Sequence, residues 1–179
     1  MKRSDDHDRR AGFEALYRAH VDTVRRYCAR RAREDMVEDA VAETFTILWR
    51  RLDAAPDDPR LWLLGVARRV LANQARAARR RQFLRARLAQ QPERLEGPAG
   101  EGATEGIVAA VRALGKRDAE ALMLVHWDGL SPAEAAIVAG CSPVAMRSRL
   151  HRARRRLMAA LCEPGIVDTE EEIRCERAG

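Results

Sequence analysis

Gly129–Leu157 reads GLSPAEAAIVAGCSPVAMRSRLHRARRRL, and its punctuation decides the fold. Ser131-Pro132-Ala133-Glu134 has the form of a capping box with proline at the first helical position. A short helix follows, and Gly140 ends it by supplying a left-handed backbone conformation. Ser142-Pro143 then opens a second helix at once. Helices only about three residues apart cannot run on in line, and the small side chains Ala135, Ala136 and Ala139 let them cross closely. The pattern predicts a helix-turn-helix.

In the second of these helices Met146, Leu150, Ala153 and Leu157 recur at helical spacing and face inward. Arg147, Ser148, His151, Arg152 and Arg155 then share the outward face. Arginine is the usual bidentate reader of guanine, and Ser and His can bond base edges. Residues 143–158 hold six arginines and no acid, whereas a plain solvated helix mixes its signs. The window predicts DNA binding, with Arg147, Ser148, His151 and Arg152 toward bases and Arg149, Arg154 and Arg155 toward phosphates.

Upstream, an amphipathic stripe runs through Phe13, Leu16, Tyr17, Val21, Val24, Tyr27 and Cys28. A second helix is predicted from about Met36 to Leu52, with apolar pairs recurring every four residues. Its other face displays Glu38, Asp39, Glu43 and Arg50. Asp57-Asp58-Pro59 breaks that pattern and starts a third helix, in which Leu63, Val66, Ala67, Val70 and Leu71 point inward and arginines accumulate toward Arg81. Residues 91–106, QPERLEGPAGEGATEG, have four Gly and two Pro in sixteen positions and almost no large apolar side chain. They read as a flexible linker. The organisation predicted is all-α: a helical domain over 11–90, the linker at 91–106, a second domain over 107–160 and a disordered acidic tail at 161–179. Seven of the eight aromatic residues precede the linker, which predicts two unequal cores.

Net charge is +6 with a pI near 9.7, and its distribution is uneven. Residues 34–58 carry eight acids against two arginines, while 68–87 carry eight arginines and no acid. Two basic faces and one acidic face point to a polyanion and a separate basic partner. The start, MKRSDDHDRR, lacks a signal peptide's apolar stretch, and no apolar run nears the ~20 residues of a membrane span, so a cytoplasmic protein without membrane insertion is predicted. Cys28, Cys141, Cys162 and Cys175 lack metal-binding spacing and are expected to be reduced thiols; neither metal nor cofactor is implied. A phosphate-cradling Gly loop and a nucleophile–base motif are both missing, which argues against an enzyme. The RNA-stacking aromatic platform is missing too. A stand-alone helix-turn-helix regulator stays open on these residues alone.

Leu124–Leu157 resembles the last conserved region of extracytoplasmic-function RNA polymerase sigma factors, group 4 of the sigma-70 family, down to Trp127-Asp128-Gly129-Leu130-Ser131 and Arg149-Leu150-His151-Arg152-Ala153-Arg154. Glu38-Asp39-Ala40-Val41-Ala42-Glu43-Thr44-Phe45 is similar to the helix by which that family docks on core polymerase. Leu61-Trp62-Leu63-Leu64-Gly65-Val66-Ala67-Arg68-Arg69 is similar to the helix at the melted upstream edge of the transcription bubble. The resemblance spans roughly residues 13–82 and 107–160 in the family's order.

The resemblance implies a sigma factor that directs promoter-specific initiation, with core RNA polymerase, promoter DNA and an anti-sigma factor as partners. It implies minus-35 reading by Arg147, Ser148, His151 and Arg152. It implies minus-10 contact by Arg60, Arg68, Arg69, Asn73, Gln74 and Arg76, with the loop Asp53–Arg60 capturing a flipped base. Glu38, Asp39, Glu43, Trp49 and Arg50 would bind core polymerase, Trp49 being as readable as plain core. Ala42 and Arg69 depart from the Gln and Asn common in the family.

Overall fold

In the computed structural model the backbone is described over residues 2–89 and 114–162, and side chains over 7–84 and 114–160. The predicted linker, the predicted tail beyond Cys162, and residues 107–113 lie outside the described residues, while Leu161 and Cys162, expected in the tail, belong to the last helix. Every element among the described residues is helical: α1 (Lys2–Ala29), α2 (Glu34–Arg50), a 3-10 turn (Leu52–Ala54), α3 (Arg60–Ala89), α4 (Lys116–Leu122), a π-helical turn (Met123–Trp127), α5 (Pro132–Ala139) and α6 (Pro143–Cys162).

The ends of α1–α3 differ from the periodicity reading. α1 begins about ten residues before Phe13, α2 runs from Glu34 to Arg50, and α3 continues past Arg81 to Ala89. Apolar spacing marks only the part of a helix that packs, so solvent-exposed overhangs built of good helix formers escape it. The start of α3 is as read. The Asp58 carboxylate accepts the Arg60 N–H at 3.1 Å, and the Leu63 N–H bonds the Pro59 carbonyl at 2.7 Å.

α1, α2 and α3 pack mutually. Val24, Tyr27 and Cys28 of α1 meet Ala40, Val41, Phe45 and Leu48 of α2 and Leu63, Val66 and Val70 of α3, all buried. The one buried hydroxyl of α2, on Thr44, donates to the Ala40 carbonyl at 2.7 Å, so its burial leaves no donor unpaired. Phe13 meets Trp49 edge-on at 5.3 Å, and Tyr17 meets Phe45 at 4.7 Å, closing the outer end of the bundle.

The expectation of two unequal cores is overturned. A single buried cluster runs through both halves, because α5 lies on α3. Leu64 and Ala67 are covered on one side, Val138 and Ala139 on the other. Gly65 faces this contact, where a Cβ would make an ordinary van der Waals contact 3.9 Å from the Val138 carbonyl oxygen. The aromatic imbalance misled because this contact is made by Leu, Val, Ala and Gly.

Candidate nucleic-acid interface

The local signals of the helix-turn-helix are all realised. Ser131 Oγ accepts the Glu134 N–H at 3.3 Å, and the Glu134 carboxylate accepts the Ser131 N–H at 2.8 Å. Hydrogen bonding from Ser131, its backbone N–H foremost and then its side chain, holds the Glu134 carboxyl below its ordinary range. Gly140 has φ 64° and ψ 45°, the Gly140 N–H reaches the Ile137 carbonyl, and the Cys141 N–H reaches that of Ala136 at 3.0 Å. This is a Schellman turn, and only glycine enters it without strain. Ser142 Oγ then caps α6 through the Ala145 N–H at 3.1 Å. Met146, Leu150 and Ala153 are buried against α4 and α5, so the rotation of α6 is fixed.

That rotation places Arg147, Ser148, His151, Arg152 and Arg155 on the exposed side. No ion pair among the described residues engages Arg147 or Arg155. Arg149 is half-buried at the flank, and Arg154 lies 3.5 Å from His126. Arg152 is tethered: its guanidinium donates to Asp118 Oδ1 at 3.3 Å, while Arg156 donates to Oδ2 at 3.2 Å. Asp118, in the first turn of α4, is buried.

The α3 candidates do not form one free row. Arg69, Asn73 and Arg76 are exposed, with Arg76 bonded to Asn73 at 2.6 Å. Gln74 turns toward α2 and donates to Glu43 at 3.4 Å. Arg60 pairs with Glu134 of α5 at 3.5 Å, and Arg68 reaches Glu120 of α4, with one contact at 3.1 Å. The hydrogen bonds to Glu120 raise the Arg68 guanidinium above its ordinary pKa. A cleft of about 440 Å³ beside the 53–60 loop is lined by Pro56, Asp58 and Trp62 on one side and by Ile137 and Val138 on the other.

The polymerase-contact candidates on α2 divide likewise. Asp39, Glu43 and Arg50 are exposed, but Glu38 is held by Arg25 of α1 at 2.9 Å, which lowers its pKa. Trp49 is half-buried between Phe13 and the Arg9 guanidinium, 5.2 Å from its ring.

Sequence reading passed over the carboxylates that join the halves. Asp128 has a side chain only 5% exposed and accepts from Arg30 at 2.9 Å and from Arg31. Arg31 also lies over the Tyr27 ring, 3.7 Å from its centroid. Among the described residues no cluster of His, Cys, Asp and Glu could hold a metal, and no helix is long and apolar enough to cross a membrane.

Residues 16–81 match the family described as Sigma-70 region 2, and residues 104–157 match Sigma-70, region 4. The ECF RNA polymerase sigma factor SigC of Mycobacterium tuberculosis is 34% identical over 156 residues, covering 82% of each chain. The chain belongs to the extracytoplasmic-function sigma factors, group 4 of the sigma-70 family. This sigma factor is also 35% identical over 144 residues to CnrH of Cupriavidus metallidurans, covering 72% of this chain and 74% of that one. The solved structure of CnrH with the cytosolic domain of CnrY superposes with a TM-score of 0.56 at 27% identity, covering 86% of this chain and 89% of that one. RpoE of Bartonella quintana, solved with the anti-sigma factor NepR, shares the fold with a TM-score of 0.61 at 24% identity, over 86% of this chain and 98% of that one. The sigma factor is thus a subunit of transcription initiation, from a family of DNA-binding regulators rather than enzymes.

Proposed function

We propose that this sigma factor reads a minus-35 promoter element with α6 and a minus-10 element with α3 and the 53–60 loop, while α2 docks on core RNA polymerase. The observation that carries this reading is the exposed side of α6: Arg147, Ser148, His151, Arg152 and Arg155 lie together, of which only Arg152 pairs with an acid among the described residues, on a helix whose rotation a buried core and a locked turn fix. Such a face enters a major groove amino-terminal end first, so Arg147, Ser148, His151 and Arg152 meet base edges. Arg149, Arg154 and Arg155 contact phosphates.

On α3, Arg69, Asn73 and Arg76 are available to single-stranded DNA, whereas Arg60 and Arg68 engage it once Glu134 and Glu120 release them. Asp39, Glu43 and Arg50 form the exposed part of the polymerase surface. Trp49 supports it from below through Phe13, and Glu38, itself exposed, is held in place by Arg25. The relatives solved with anti-sigma proteins support an anti-sigma partner for this chain as well.

The test is promoter binding by holoenzyme assembled from core polymerase, with each upstream base pair randomised. Arg147→Ala and Arg152→Ala should each cost about 1–3 kcal/mol and relax discrimination at one base pair. Unchanged base preferences in both variants would remove α6 as the reader. Failure to co-elute with core polymerase would remove the sigma assignment of α2.

A further inference from the structure

α6 carries six arginines between Arg147 and Arg156 without an acid of its own. The carboxylate that serves it comes from another helix. Asp118 is buried, its side chain 8% exposed, and it divides its two oxygens between Arg152 and Arg156. Those arginines stand one turn apart on α6 and repel each other, and a shared carboxylate between them turns the repulsion into a bridge. Asp118 is itself well placed as an acceptor. It lies in the first turn of α4, where the free N–H groups favour negative charge, and it packs beneath α6 on a helix anchored by Ala121 and Leu122.

Each guanidinium gives Asp118 one N–H, and a guanidinium has five, so the tether leaves a donor edge free. The Arg152 side chain is still 49% exposed. Arg147 and Arg155, exposed on the same helix, have no such holder among the described residues. Two outward arginines of one helix therefore differ: Arg147 is free to search, while Arg152 is presented in a set orientation.

We propose that Asp118 is a positioning residue for promoter reading: it fixes the guanidinium of Arg152 so that its free edge faces one base pair, and thereby sets discrimination at that pair. This rests on the reading of Arg152 as a base contact. A bidentate arginine–guanine contact needs both donors in the plane of the base edge, so pre-orientation acts on discrimination at that pair rather than on overall affinity.

The experiment uses holoenzyme and promoter fragments randomised at each upstream base pair, with wild type, Asp118→Asn, Arg152→Ala and the double variant. Asp118→Asn should lower discrimination roughly tenfold at the base pair that Arg152→Ala also relaxes, and leave the pair relaxed by Arg147→Ala untouched. In the Arg152→Ala background it should have no further effect on preference. A uniform loss across all base pairs, repeated in that background, would reduce Asp118 to a structural acid and overturn the proposal. If Arg152→Ala itself changes no preference, the base-contact reading fails first and the two failures are told apart. A measurement on the unaltered chain covers the case in which Asp118→Asn fails to fold. Side-chain 15N relaxation should find the Arg152 guanidinium ordered and that of Arg155 mobile, and equal mobility would overturn the proposal.

Discussion

Replacing Asp128 by Asn should weaken the docking of the C-terminal half on the N-terminal half more than any surface substitution. The carboxylate is 5% exposed, Arg31 is 13% exposed and Arg30 32% exposed, so the pair with Arg31 is largely shielded from solvent screening. Removing one partner of a buried pair costs about 3–5 kcal/mol, because the charge left behind is uncompensated. Asn keeps the shape and one acceptor, and Arg30 can turn to water, which places the expected cost at the lower end, about 3 kcal/mol. That corresponds to roughly a hundredfold shift toward separated halves, since 1.4 kcal/mol is tenfold. Small-angle scattering should report a larger radius of gyration for Asp128→Asn, and urea unfolding should show a lower midpoint. Added NaCl should do far less to the unaltered chain, since exposed pairs are screened much more than buried ones. A scattering profile and urea midpoint equal to wild type would refute the reasoning and leave the docking to the apolar contact of α3 with α5 and to the Arg60–Glu134 and Arg68–Glu120 pairs.

Gly65→Ala should stabilise the chain by about 0.5–1 kcal/mol, because alanine favours the helix and its Cβ makes an ordinary contact with Val138; thermal unfolding measures it, and a loss of stability would mean that the helices already touch. Arg155→Ala should weaken holoenzyme binding to all promoter sequences alike and lower the salt slope by about one phosphate contact, read from titrations at two salt concentrations. Burial pushes the Cys28 thiol up to about 11 and the Tyr27 phenol up to about 12. The neutral forms are favoured in the fold, so their contribution is intact at neutral pH and is lost as pH rises past the unfolded thiol's range toward 11. Urea midpoints should fall over that interval, and alkylation at pH 8 should spare Cys28 while reaching Cys141, which is only half-buried.

The parts of this fold legible in the sequence are those that local chemistry specifies. The Ser131–Glu134 box, the left-handed Gly140, the Ser142 cap and the Asp58-Pro59 start each need only a few adjacent residues, and each stands where the pattern placed it. The exposed face of α6 followed from its apolar period, since burying Met146, Leu150 and Ala153 leaves the arginines nowhere else to point. What the pattern did not carry depends on chain segments far apart. Asp128 meets Arg31 across 97 positions and Glu120 meets Arg68 across 52, and an isolated acid in a helical turn has no periodicity to announce its partner. For the same reason Gln74, on the predicted DNA side of α3, proves to be turned toward Glu43.

The pairing of Arg30, Arg31, Arg60 and Arg68 with Asp128, Glu134 and Glu120 also bears on how the subunit searches a genome. Chromosomal DNA offers a vast excess of non-specific sites, and a protein adheres to them in proportion to the cations it leaves uncovered. Each arginine occupied by a carboxylate is one phosphate contact fewer, worth about 0.9 in the salt exponent of that adhesion. With its halves docked, the chain neutralises part of its own charge and so lowers its retention on bulk DNA. More of it stays in solution, where it can meet polymerase before it meets the chromosome.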